Sequence, residues 1–207
     1  MEEIVSKENI KDDLRKAKLI IDWIFRQIDG LEELKLSKEE KFIFMIAAYD
    51  FTIHCARSIC ILIEHEQYGA ALALMRPLMD SFMRGNWIQN IATTVDFIRA
   101  KEKDRFPNNP ELFQNLQHAF NNPKLKNIVY YFNDYVHVGF RQLESRILDN
   151  NSIGNAYTRR EIINALFAAY SFGLLAMYII ALQYNKKCMN EAALKKIMEF
   201  ELIEISK

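Results

Sequence analysis

A chain of 207 residues, half of them apolar and 26% charged, is long enough to enclose one hydrophobic core and too apolar to stay disordered. Lysine plus arginine balances aspartate plus glutamate at 27 each, so no overall field draws the chain to nucleic acid or to an anionic membrane. Six glycines and four prolines supply too few turns for a barrel or sandwich of short strands, which leaves long helices.

In chain order, a first helix is expected over about Lys7 to Ile28. Its apolar Leu14, Ala17, Ile20, Ile21, Ile24 and Phe25 recur at helical spacing, and Gly30 ends it. Ser37-Lys38-Glu39-Glu40 is a capping-box pattern, which predicts a second helix reaching about Glu66, with Tyr68 and Gly69 as the turn. A third helix follows from about Ala70 to Ile91, kinked or restarted by Pro77. Thr93 or Thr94 caps a short helix that ends before Pro107, and Phe106 to Pro110 form a loop.

Helices are then expected over about 111–120 and 124–147, the second broken near Gly139, with a polar loop over 149–155. Thr158-Arg159-Arg160-Glu161 is another capping box and opens a long apolar helix. A final helix starts at Asn190, with Ala193, Leu194, Ile197 and Phe200 on one face. The whole predicts one all-α domain over 1–207. It is a single bundle of about six to eight helices around a central apolar helix near 158–186.

That central helix has a second reading. Ile162 to Gln183 carries no charge and is long enough to cross a bilayer, with Arg159 and Arg160 before it and Lys186 and Lys187 after it. Residues 162–184 are therefore either a core helix, apolar all round because it is surrounded, or a membrane span; the core helix is preferred. Cys55, Cys60 and Cys188 form no paired motif, and MEEIVSKENIKDDLRK has no apolar signal core. Reduced buried thiols in a cytoplasmic protein are the expectation.

Three polar sectors stand out on these apolar helices. Asp50, His54, Arg57 and Glu64 fall within about 80° of one another at about 100° per residue. They line either a cleft, where His54 can move protons, or a strip facing water. Arg76, Asp80, Arg84 and Trp87 repeat the arrangement, as an Arg-Asp-Arg ladder or as a fork for phosphate or carboxylate. Asn133, Asp134, His137 and Arg141 form the third, in the string YYFNDYVHVGFRQLESR. Convergence in one cleft would suit a phosphodiester, with His137, Arg141, Arg76 and Arg84 as catalytic candidates. His54 and Arg57 are the second catalytic choice, and Asp50, Asp80, Trp87 and Asn133 would hold substrate. No Walker loop, GxGxxG, GxSxG, HExxH or CxxC occurs, and no metal or other cofactor is expected.

The strings ALALMRPLMDSFMRGNWI and YVHVGFRQLESR resemble a group of bacterial helical proteins distantly similar to the HEPN superfamily, over roughly residues 40–184. The resemblance implies a helical bundle, commonly dimeric, in a toxin or antiviral defence setting, with RNA as a substrate. The usual HEPN site has an Arg four to six residues before a His. Here seven residues separate Arg57 from His65, so a nuclease would need a composite site such as Arg76, Arg84 and His137. Two further readings stand beside it: a non-catalytic helical module that forms a homo-oligomer or binds a cognate protein, and a membrane-associated effector.

Overall fold

The computed structural model describes residues 3–29, 39–108, 111–112, 147, 154 and 156–199. Through these residues the fold is all-α: α1 (Lys11–Ile28), α2 (Glu40–Glu64), α3 (Tyr68–Ala73), α4 (Met75–Asn90), α5 (Thr94–Glu102), α6 (Arg159–Gln183) and α7 (Lys187–Glu199). An isolated antiparallel bridge joins Ile4 to Thr158.

The Thr158 box forms as expected. Thr158 Oγ1 accepts from the Glu161 N–H at 3.2 Å, and Glu161 Oε2 accepts from the Thr158 N–H at 2.7 Å. From there α6 runs through the middle of the bundle, packed by α1, α2, α4 and α7. Its most apolar window is 83% buried within the fold, so the surface a bilayer would cover is occupied by neighbouring helices. Gly173 lets those neighbours close in, since a Cβ there would lie 3.3 Å from Ile24 and 3.5 Å from Ala56.

Contact between α2 and α4 is fixed by shape and by polarity. Tyr49 of α2 stacks edge-on against Phe82 of α4 (5.4 Å), and Phe82 against Phe172 of α6 (5.1 Å). Thr52 Oγ1 and Ser81 Oγ, both buried, sit 2.8 Å apart between the helices. Each hydroxyl also bonds a carbonyl of its own helix, Ala48 for Thr52 and Leu78 for Ser81, so sliding one helix along the other costs the one buried bond between them, which favours this register. Gly85 admits the Tyr49 ring, whose carbons a Cβ would meet at 3.0 Å.

Several boundaries differ from expectation. α1 begins at Lys11 rather than Lys7, because residues 7–10 form a turn. That turn is closed by reciprocal bonds in which Asn9 Oδ1 accepts from the Ser6 N–H and Ser6 Oγ from the Asn9 N–H. α2 begins at Glu40 with Glu39 at the N-cap and no side-chain cap, and Ser37 lies outside the described residues. The predicted third helix is two, broken at Leu74, with Pro77 in the first turn of α4. Proline has no N–H to give the carbonyl one turn back, and a first turn does not need it.

The turn placed at Tyr68 and Gly69 lies earlier, and both of those residues are in α3. α2 ends on Glu66 in the left-handed region (φ 57°), with the Gln67 N–H donating to the Leu62 carbonyl and the Glu66 N–H to that of Ile63. α5 and α6 end in the same way on Asp104 (φ 46°) and Asn185 (φ 51°). Glycine is the usual residue there, and a chain with six glycines places other residues in its stead. Thr93, rather than Thr94, caps α5, in a full box with Asp96. α7 starts at Lys187 and buries Met189, Ala193 and Ile197. Apart from Glu111, Leu112, Ile147 and Gly154, the helices and loop expected over 111–155 lie outside the described residues.

The left-handed termini give a stability test. Asp104 is exposed, and its Cβ carries the steric penalty of a left-handed backbone that glycine would relieve. Asp104→Gly is expected to stabilise the fold, by no more than about 1 kcal/mol because glycine also loosens the unfolded chain. Urea denaturation of the variant beside the parent checks the sign.

Candidate functional site

The polar sector of α2 faces water beside α1. His54 Nε2 lies 3.8 Å from Asp50 Oδ2, and the His54 ring meets Phe25 of α1 edge-on at 5.3 Å. The Arg57 guanidinium lies over the same Phe25 ring at 4.4 Å. At the end of the helix Lys18 Nζ reaches Glu64 Oε1 at 2.5 Å, and this hydrogen bond holds the Glu64 carboxyl below its ordinary range. Of the two readings open for this sector, the strip facing water is the one found.

The polar sector of α4 faces a cavity instead. A groove of about 470 Å³ runs between α2 and α4. Phe44, Ala47, Ala48 and Phe51 form its α2 wall, Pro77, Ser81 and Ile88 stand on the α4 wall, and Phe106 lines it from beyond α5. Arg76, Asp80 and Arg84 also line it. Arg76 is buried, with Nε 2.7 Å from Asp80 Oδ1. Asp80 Oδ1, held in this ion pair, is shielded from solvent. Arg84 leaves the expected ladder altogether; its guanidinium lies over the Phe106 ring at 4.9 Å. Trp87, expected in this polar sector, is buried and packs edge-on against the Phe106 ring, with centroids 5.8 Å apart.

The two sectors therefore do not converge. His54 and Arg57 look toward α1, and Arg76 and Arg84 toward the groove on the other flank of α2. Asn133, Asp134, His137 and Arg141 lie outside the described residues. Among the described residues no cluster of three His, Cys, Asp or Glu side chains could hold a metal ion. The α2 wall of the groove was not anticipated. Its signal was the spacing of Phe44, Ala47, Ala48 and Phe51 on one side of a helix whose opposite side is also apolar, which hides a face from any search for one-sided helices.

A profile described as "Family of unknown function (DUF6988)" matches residues 49–201. The chain belongs to the DUF6988 family. No curated protein and no solved structure matches it. The DUF6988 match covers α4, α6, α7 and α2 from Tyr49 onward, so it includes the α4 wall of the groove and, of the α2 wall, Phe51. It carries no activity and no link to HEPN proteins.

Two of the chain's three thiols, Cys55 and Cys60, are buried. Burial pushes Cys60 up to about 12 and Cys55 to about 11, so neither holds appreciable thiolate at neutral pH. Cys188 is exposed, against the expectation of buried thiols throughout. Iodoacetamide on the native protein is expected to label Cys188 and to reach Cys55 and Cys60 only after denaturation, as peptide mass mapping would show.

The Lys18–Glu64 pair predicts a pH effect. A carboxyl held below its unfolded value adds stability above that unfolded value, and the gain disappears as pH falls through the folded one. Both side chains are partly exposed, so the gain is at most about 1 kcal/mol. Glu64→Gln is expected to lower stability near pH 7 and to leave it unchanged at strongly acidic pH. Urea midpoints across an acid titration measure both ends.

Proposed function

We propose that the chain is a non-catalytic helical assembly module, whose α2 helix pairs with α2 of a second copy. The observation that carries this is the half-burial of an apolar helix. One side of α2 packs on α4 and α6, while Ile43 (36% exposed), Phe44 (41%), Phe51 (54%) and Ile61 (45%) are left in water. A helix apolar on all sides is ordinarily enclosed on all sides. α5 extends the patch: Phe97 stacks on Phe44, Lys101 pairs with Glu40, and Val95 and Ile98 are exposed.

The exposed seam also has the order that self-pairing needs. Ile43, Ala47, Asp50, His54, Arg57 and Ile61 repeat at alternating steps of four and three, the spacing of helices that pack side by side. In an antiparallel pair with its two-fold axis at the level of Thr52, Ile43 meets Ile61, small Ala47 meets long Arg57, and Asp50 meets His54. Apolar ends and an acid–imidazole centre are then matched in both copies, as an isologous interface requires.

The expected ribonuclease of a defence system rests on convergence of the polar sectors, and the two sectors on the described residues point to opposite flanks of α2. The assembly reading draws on the exposed seam and needs no convergence. A membrane would also cover apolar residues, but it would leave Asp50, His54 and Arg57 in the middle of the buried strip.

Size-exclusion chromatography with light scattering is expected to give a dimer. Ile61→Glu should weaken it by at least about tenfold, or about 1.4 kcal/mol, with unchanged helicity. His54→Asp sets acid against acid and should weaken it as well, while the double variant Asp50→His/His54→Asp restores pairing. A parent protein that remains monomeric at about 100 μM, where even a weak specific contact registers, overturns the reading.

A further inference from the structure

The middle of the α2 seam is charged, although its ends are apolar. Asp50 and His54 stand one turn apart, with His54 Nε2 3.8 Å from Asp50 Oδ2 and the two side chains 52% and 58% exposed. In a single copy water screens such a pair, and its members attract one another only weakly. Pairing of two α2 helices, on which this inference rests, removes that water. In the antiparallel arrangement about Thr52 each Asp50 meets His54 of the other copy. Two acids and two imidazoles then gather around the two-fold axis.

With both imidazoles neutral, the seam would enclose two carboxylates without a counter-charge at their level, which desolvation makes costly. Arg57, the next cation along the seam, is held over the Phe25 ring at 4.4 Å and faces small Ala47 of the other copy instead. α1 packs on His54 through Phe25, and its charged residues along this stretch are Asp22, Arg26 and Asp29. All three are exposed, and two acids against one base leave a weak net pull toward a protonated imidazole. The other helices against α2 add nothing that opposes this. α6 has no charge from Ile162 to Gln183, α3 has none, and Arg76, Asp80 and Arg84 of α4 line the groove on the opposite flank.

We propose that self-association of the chain is controlled by pH through His54, which holds a proton more tightly in the paired form than in the single chain. Each protonated imidazole lies between its own Asp50 and Asp50 of the other copy, and the two negative charges at the axis are neutralised. A basic group that gains partners on pairing strengthens the pair as pH falls through its titration range, which for an imidazole is centred at about pH 6.5. Mild acid therefore favours the dimer and mild alkali the single chain.

Light scattering across a dilution series of the full chain gives the dimer Kd at about pH 6 and about pH 8. The Kd is expected to be about tenfold smaller at the acid end, since two imidazoles contribute. Dilution calorimetry at about pH 6.5, in two buffers of different ionisation enthalpy, should show dissociation releasing roughly half a proton or more per dimer. His54→Gln can donate to a carboxylate but cannot take up a proton, so its Kd should change less than about twofold between the two pH values. A parent Kd that is equal at both, or smaller at the alkaline one, overturns the control and leaves the dimer standing. A proton count near zero does the same, as does a His54→Gln Kd with the parent's pH dependence. The proton count is read on the parent alone, so it decides even where the variant fails to pair. A parent that stays monomeric at both pH values overturns the α2 pairing itself, and the control with it.

Discussion

Everything in this fold follows from having to enclose α6. Twenty-five residues with apolar side chains on every side cannot lie on a surface, and the neighbouring helices take up that burial. α1 supplies Ile20, Ile21 and Ile24 to it, α7 supplies Met189, Ala193 and Ile197, and α2 and α4 close the remaining sides. Small residues let these partners approach: Ala168, Ala169, Gly173 and Ala176 hold helix axes near enough for side chains to interdigitate. Phe82, wedged between Tyr49 and Phe172, ties three helices into one body.

α2 has a similar composition and a different fate. Its inner side is held by α4 and α6, while its outer side is divided between a strip beside α1 and the wall of a groove. The same helix thus fixes the core and presents two separate outer surfaces. Arg57 and His54 are kept against Phe25, so the charged strip has a defined conformation rather than a mobile fringe. On the other flank, Arg84 is kept against Phe106 by a comparable cation–ring contact.

Much of this was legible in the residues. The Thr158–Glu161 box, the burial of α6 and the placing of α1 and α7 all follow from patterns three or four residues long, because local geometry decides them. The termini of α2 and α5 were less legible, since Glu66 and Asp104 occupy a backbone region that a reader assigns to glycine. The groove was hidden for another reason. The period of Phe44, Ala47 and Phe51 is helical, but it says nothing about whether a neighbour covers that side. Only the direction in which α4 crosses decides that, and the crossing is set by Gly85, Thr52 and Ser81 acting together. Likewise, the spacing of Arg76, Asp80 and Arg84 allows a ladder, and it cannot foresee that Phe106 draws Arg84 away.

The ends of α6 and of the N-terminal segment are tied to each other across most of the chain. The Val5 N–H donates to the Tyr157 carbonyl and the Arg159 N–H to that of Glu3, while Arg159 Nε reaches the Asn9 carbonyl at 2.7 Å. During synthesis, the partners of residues 3–9 emerge some 150 residues later. At about 5–20 residues per second the wait is roughly 8 to 30 s. Throughout that interval α1, α2 and α4 stand without the helix that encloses their apolar sides. The N-terminal segment and the inner faces of α1, α2 and α4 can therefore take their final partners only after α6 has been synthesised.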